Sequence, residues 1–150
     1  MGNKGVLLLV EDEKDVADNI RDMLTDLSEK ILMAENGAAA IEILNKTKVD
    51  CVITDIRMPI MNGVEFLKQA RKNKHQMPFI VFTGHGAEDL MLEVMQYGAF
   101  DFINKPDLRG LEKAVSLALK ETKNKMKSDS KEMMSDYKKM VETQSTKKKT

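Results

Sequence analysis

The chain is expected to fold as an α/β domain: a doubly wound, five-stranded parallel sheet with helices on both faces and a C-terminal extension that is helical or disordered. Two observations predict this. Five strand-sized apolar runs, residues 6–10, 31–34, 49–54, 79–82 and 100–103, alternate with segments whose apolar residues recur at helical spacing. The first, third and fourth runs carry little polar interruption, as strands buried on both faces require.

The first run stops at Glu11, Asp12 and Glu13, and a helical stripe of Val16, Ile20, Met23, Leu24 and Leu27 follows. After the second run come Ala40, Ile41 and Leu44. The third run contains the only cysteine, Cys51, which reads as a small core residue, and ends at Thr54 and Asp55. Pro59 and the Asn62-Gly63 pair then mark a turn into a helix carrying Val64, Phe66, Leu67 and Ala70. The fourth run ends at Thr83 and Gly84 and precedes Leu90, Met91, Val94 and Met95. The fifth leads to Lys105 and Pro106, then to a helix marked by Leu108, Leu111, Val115 and Leu119.

Composition sets the bounds. With 150 residues, 42% hydrophobic and 32% charged, the chain suits one core plus a short appendage, and the collagenous, disulfide-rich and wholly disordered classes are excluded. Zero net charge hides a division: residues 1–121 hold 15 basic and 20 acidic side chains, residues 122–150 hold 9 and 4. The expected organisation is therefore a domain over residues 5–121 and a Lys/Met-rich tail over 122–150. In that tail Met126, Met133 and Met140 continue from Leu119 at seven-residue intervals, with Tyr137 four after Met133, which predicts a weak coiled coil and a homodimer. Ser130 and Lys123 interrupt the companion seam, and the end around Lys147 to Lys149 reads as disordered. Two organisations fit, a stand-alone domain and the N-terminal part of a longer protein. No apolar run approaches a membrane span and the start lacks a signal-peptide hydrophobic region, so a reducing cytoplasm without membrane contact is expected. A solvated lysine-rich end is the expectation for the tail, with no direct nucleic-acid contact.

In open α/β sheets the functional crevice lies outside the carboxyl ends of the strands. Glu11, Asp12, Asp55, Thr83 and Lys105 all fall at or just beyond such ends. Acids at the start of the next helix would also suit its dipole, but Asp55 has no such explanation. Three carboxylates converging on one sheet edge repel unless a cation compensates, and hard oxygen ligands suit Mg²⁺. A carboxylate on a rigid element can attack phosphorus, provided the phosphoryl charge is neutralised. The Lys105 ammonium and the Thr83 hydroxyl supply a charge and a hydrogen bond for that purpose, and Gly84 leaves room beside them.

These residues resemble a known family, the receiver domains of two-component response regulators, particularly the chemotaxis-like receivers. The resemblance spans roughly residues 5–121. It rests on Val10-Glu11-Asp12-Glu13, on Asp55 with Met58-Pro59 and Gly63 downstream, on Thr83-Gly84, on Gly98-Ala99-Phe100-Asp101-Phe102 and on Lys105-Pro106. It implies a flavodoxin-like (βα)₅ fold with a cis bond before Pro106. It implies Asp55 as phosphoacceptor, Mg²⁺ held by Asp12, Asp55, Glu11 largely through water and the main-chain carbonyl of Arg57, and phosphoryl contacts from Thr83 and Lys105. Thr83 and Phe102 would be the switch pair, and Arg57 and His85 would tune phosphoryl lifetime.

By the same resemblance the phosphoryl donor is a histidine kinase or histidine phosphotransfer protein. The output face is the fourth helix (about 87–97), fifth strand (100–103) and fifth helix (108–121), with a downstream protein as target and a signalling rather than an enzymatic role. Glu11 stands where Asp is more usual, and Phe102 lacks the hydroxyl of Tyr-bearing members. His75, in a polar loop, is expected to play no part. Three other classes fit less well. A phosphatase of the haloacid-dehalogenase type places its nucleophile in an early Asp-x-Asp motif, whereas Asp55 is followed by Arg57 two residues on. A receiver-like binding module without phosphorylation has no need of the full acid, acceptor, Thr and Lys set. A dinucleotide-binding domain would place glycines, not acids, after the first strand.

Overall fold

The computed structural model describes residues 4–148, and for residues 127, 129, 130 and 142–148 the backbone alone. In chain order the elements are β1 (Gly5–Val10), α1 (Lys14–Leu24), a 3₁₀ turn (Thr25–Leu27), β2 (Ser28–Ala34), α2 (Gly37–Lys46), β3 (Cys51–Thr54), α3 (Gly63–Lys72), β4 (Phe79–Thr83), a second 3₁₀ turn (Glu88–Leu90), α4 (Met91–Gln96), β5 (Asp101–Asn104) and α5 (Leu108–Lys148). The strands form one parallel sheet in the order β2-β1-β3-β4-β5. The strand order reverses between β1 and β3, and their carboxyl ends, Val10 and Thr54, lie in register as neighbours.

Alternation along each strand sends neighbouring residues to opposite faces. Leu8, Val10, Val52 and Val81 pack with Ala40, Leu44, Val64, Phe66 and Leu67 from α2 and α3. Leu7, Leu9, Ile53, Ile80 and Phe82 pack with Ala17, Ile20, Leu24, Leu111, Val115 and Leu119 from α1 and α5. Two cores thus clamp one sheet, as the apolar runs predict, and Cys51 is fully buried in the second core.

Several boundaries differ from the expected ones for local reasons. β2 begins three residues early because Ser28 and Lys30 pair with Gly5 and Val6 at the sheet edge, where polar side chains stay solvated. β5 is displaced by one residue to Asp101–Asn104, and its side chains are only partly covered, as suits the other edge. The fourth helix is shorter than expected, six residues after a 3₁₀ turn. α5 instead runs unbroken for 41 residues, so the segment expected to be disordered is helical as far as Lys148, while Lys149 lies outside the described residues.

Two features position the loop after β3. Asn62 caps α3 by accepting from the Glu65 N–H at 2.9 Å, and Gly63 N–H donates to Ile56 O at 2.7 Å. A Cβ on Gly63 would lie 2.1 Å from Asp55 O and 2.9 Å from Ile56 Cα, so only glycine lets the helix start this close to the strand end. On the far side, Arg71 donates to the carbonyls of His75, Met77, Tyr97 and Gly98, joining the end of α3 to the loop between α4 and β5. Gly63→Ala is expected to lower stability by about 1–3 kcal/mol through forced backbone displacement at Asp55, measured by urea unfolding; an unchanged midpoint would refute the close-approach argument.

Candidate functional site

β1 and β3 bring the acids together. The Glu11 N–H donates to Ala34 O and the Asp55 N–H donates to Val10 O, both at 3.0 Å, so sheet-like pairing continues one residue past each strand. Asp55 is held further by its own neighbours: Ile56 N–H donates to its Oδ1 at 2.7 Å, and the Thr54 hydroxyl donates to its main-chain oxygen at 2.8 Å. Glu11 and Asp55 are buried and Asp12 is exposed at the rim. One carboxylate oxygen from each of the three lies within 4.8 Å of the others.

The compensating charge arrives from β5. Lys105 N–H donates to Thr83 O at 2.8 Å, the Lys105-Pro106 bond is cis, and Lys105 Nζ donates to Glu11 Oε1 and Asp55 Oδ2, each at 2.8 Å. The two acids respond differently. Burial pushes Glu11 up to about 7, since its hydrogen bond from Lys105 is outweighed and the Asp55 charge works against it. Burial also acts on Asp55, but hydrogen bonding from Lys105 and the Thr83 hydroxyl wins and holds it below the usual carboxylate range. For Lys105, burial is overcome by the two carboxylates, which raise it. One ammonium therefore serves two buried carboxylates, with a third acid beside them. That donor set, hard oxygens in excess of the available positive charge, fits a small divalent cation such as Mg²⁺.

Of the residues singled out in the sequence, Glu11, Asp12, Asp55, Thr83 and Lys105 meet at this edge. Thr83 is 1% exposed, at the end of β4. A Cβ on Gly84 would meet nothing within 4 Å, so the space beside Thr83 is open. Phe102 is partly covered and packs against the core of α2, α3 and α4. The Arg57 and His85 side chains are directed elsewhere. The Arg57 guanidinium donates to Gly86 O at 3.0 Å, bridging the loops that follow β3 and β4, and His85 is solvent-exposed with Nδ1 3.7 Å from Glu88 Oε1. His75 is hydrogen-bonded to Asn45, away from the acids.

Sequence reading missed three contributors: the Ile56 N–H on Asp55, the close approach at Gly63 and the turn at Ile60. Ile60 has φ of 69° and stands 82% exposed, with Met61 N–H donating to Pro59 O across it. This left-handed conformation is costly for a β-branched residue. Pro59 and the Asn62-Gly63 pair mark a turn in the sequence, but neither singles out Ile60 for the left-handed conformation.

Lys105→Ala leaves Glu11 and Asp55 facing each other without their shared ammonium. The variant is expected to lose about 1–3 kcal/mol in chelator at neutral pH, by urea unfolding, and to recover part of it on adding Mg²⁺. Equal stability of variant and parent in chelator would contradict this account of the charge balance.

Comparison with known proteins agrees with this architecture. A family model described as response regulator receiver domain matches residues 7–116. The transcriptional regulatory protein FixJ of Bradyrhizobium diazoefficiens is 30% identical over 106 residues, covering 71% of this chain and 52% of FixJ. The regulatory protein LuxO of Vibrio campbellii, a luminescence regulator, is 38% identical over 98 residues, 65% of this chain and 22% of LuxO. Among solved structures, a response regulator receiver domain protein from Clostridium thermocellum superposes with a TM-score of 0.73 at 30% identity, covering 79% of this chain and 96% of that one. Full-length FixJ from B. japonicum gives 0.76 at 27% identity, covering 85% and 64%. The chain thus spans about half the length of FixJ and a smaller part of LuxO. Its strand order, its acids at the β1 and β3 ends and its matched residues place the chain in the response regulator receiver domain family, the signalling domain of two-component systems.

Proposed function

We propose that Asp55 accepts a phosphoryl group from a phosphohistidine on a histidine kinase or histidine phosphotransfer protein. The observation that carries this reading is the Asp55 carboxylate itself, held at a strand end by Ile56 N–H, kept ionised by Lys105 and opening onto a crevice with two further acids. An Asp55 oxygen attacks phosphorus, the P–N bond to the donor imidazole breaks, and the imidazole nitrogen regains a proton; the product is an acyl phosphate. Glu11, Asp12, Asp55 and the main-chain carbonyl of Arg57 would hold Mg²⁺, which when bound neutralises phosphoryl oxygens. Lys105 would exchange its bond to Asp55 for one to the phosphoryl group, and the Thr83 hydroxyl would donate to another of its oxygens.

The same reading gives the output. Inward movement of Thr83 toward the phosphoryl group vacates space that Phe102 follows into, shifting the population between two packings of α4, β5 and α5. Met91, Leu92, Met95 and Tyr97 are exposed on or beside α4 and offer an apolar surface to a downstream protein. The receiver unit is residues 5–121 with 122–150 as its extension, acting in the cytoplasm; among the described residues no helix is long and apolar enough to cross a membrane. We place no nucleic-acid contact on the receiver body, whose charge is net acidic. Arg57 and His85 would act on phosphoryl lifetime from the loops bordering the site.

The test is intact mass after incubation with a small phosphoryl donor and Mg²⁺. One phosphoryl addition is expected, absent from Asp55→Asn and absent in chelator. A folded protein that stays unmodified, or an Asp55→Asn variant modified as readily as the parent, would overturn the assignment and favour a binding module of the same fold.

A further inference from the structure

Thr54 carries a hydroxyl where the packing asks for a methyl. It is the last residue of β3 and fully buried, in register between Val10 of β1 and Val81 of β4 and two residues after Val52 on the same face of the sheet. Those three valines belong to the core on the α2 and α3 side. A valine at position 54 would continue the row, and a hydroxyl taken out of water there costs free energy unless it is hydrogen-bonded. The Thr54 hydroxyl has such a bond, and its acceptor is the main-chain oxygen of Asp55 at 2.8 Å.

The choice of acceptor decides what this bond does. The Asp55 carbonyl and the Ile56 N–H are opposite ends of one planar peptide unit, so rotation about ψ of Asp55 swings both together. The Ile56 N–H donates to Asp55 Oδ1 at 2.7 Å, and the other carboxylate oxygen, Oδ2, accepts from Lys105 Nζ at 2.8 Å. Fixing the oxygen end of that peptide therefore fixes where its N–H points, and the N–H in turn holds the carboxylate. Two backbone contacts bound the same unit. The Asp55 N–H donates to Val10 O at 3.0 Å, and Gly63 packs so near the Asp55 oxygen that a Cβ there would lie 2.1 Å from it. The first sets where the residue enters the loop and the second limits the oxygen by contact, whereas the Thr54 hydroxyl draws it into place. Asp55 and Ile56 are 8% and 2% exposed, so little water reaches the peptide to replace a lost partner.

We infer that Thr54 is a positioning residue: through the Asp55–Ile56 peptide, its hydroxyl holds the Asp55 carboxylate in the orientation that meets Lys105 at the crevice. The consequence for phosphoryl transfer rests on the phosphoacceptor reading of Asp55, and the consequence for the peptide does not. In that reading Thr54 touches neither the phosphoryl group nor the metal and acts only through its neighbour. A nucleophile released from its orientation loses the advantage of being preset, and small misplacements of a reacting group lower the rate steeply.

The experiment compares Thr54→Val, which fills the same space without the hydroxyl, with Thr54→Ser, which keeps the hydroxyl and loses a methyl. Both are read in two ways on the folded full chain. In the protein without phosphoryl donor, the Ile56 amide proton is followed by NMR. It is expected upfield and faster-exchanging in the valine variant, and close to the parent in the serine variant. With a small phosphoryl donor and Mg²⁺, the rate of phosphoryl addition is expected to fall about tenfold in the valine variant and less than about threefold in the serine variant. A packing role gives the opposite order, since serine leaves a gap where the methyl was and valine does not. Thr54→Ala repeats the comparison with the hydroxyl as its one difference from serine, and is expected to behave as the valine variant does. An Ile56 amide unmoved by loss of the hydroxyl, or a serine variant slower than the valine one, would sink the inference. A parent protein that takes up no phosphoryl group would instead remove the phosphoacceptor reading, and the amide signal then decides the role of Thr54 by itself.

Discussion

The structure turns on an imbalance of charge at the end of two adjacent parallel strands. Glu11 and Asp55 are both taken out of water, and a single ammonium, Lys105, bonds both at 2.8 Å. The result is unequal: the Asp55 carboxyl is held low and the Glu11 carboxyl is pushed up to about 7. Such an arrangement is costly as a means of stabilising a fold, since buried ion pairs seldom repay their desolvation. Under the proposed function it makes physical sense as a site prepared for further positive charge and for an anionic group that would engage the lysine.

The rest of the domain serves to hold that edge in place. Because the strands are parallel, all of them end on one side of the sheet, so the loops after β1, β3, β4 and β5 meet there. Gly63 allows α3 to start against the Asp55 carbonyl, and Arg57 links the loops after β3 and β4 through Gly86. At the other end of α3, Arg71 ties the helix to the segment between α4 and β5. The short α4 therefore sits between two tethers, one near the acids and one away from them. Under the proposed switch, displacement of its packing would have few ways to be absorbed locally, which would favour discrete arrangements over gradual deformation.

The long α5 gives this domain a second role for one helix. Its first half completes a core, and its second half carries the same stripe onward into solvent.

What the sequence determined on its own was the pattern of burial and the chemistry at strand ends. Five apolar runs alternating with 3.6-residue periodicity are legible because each strand and helix is apolar for a reason local to itself. Glu11, Asp55, Thr83 and Lys105 are legible because a polar residue directly after an apolar run stands at the open edge of any such sheet. The family resemblance carried by the same residues was equally visible, and the match over residues 7–116 agrees with it. Tertiary structure decided what depends on partners distant in the chain. Arg57 reaches Gly86, 29 residues away, and a long flexible side chain gives no local sign of that. The polar start of β2 belongs to the sheet only because β1 is there to pair with it. The left-handed turn at Ile60 is imposed by closure of the loop onto α3, against the residue's own preference. Likewise the tail offered two readings, helix or disorder, and the continuous α5 decides for helix as far as Lys148, because each residue added to an existing helix escapes the cost of nucleation.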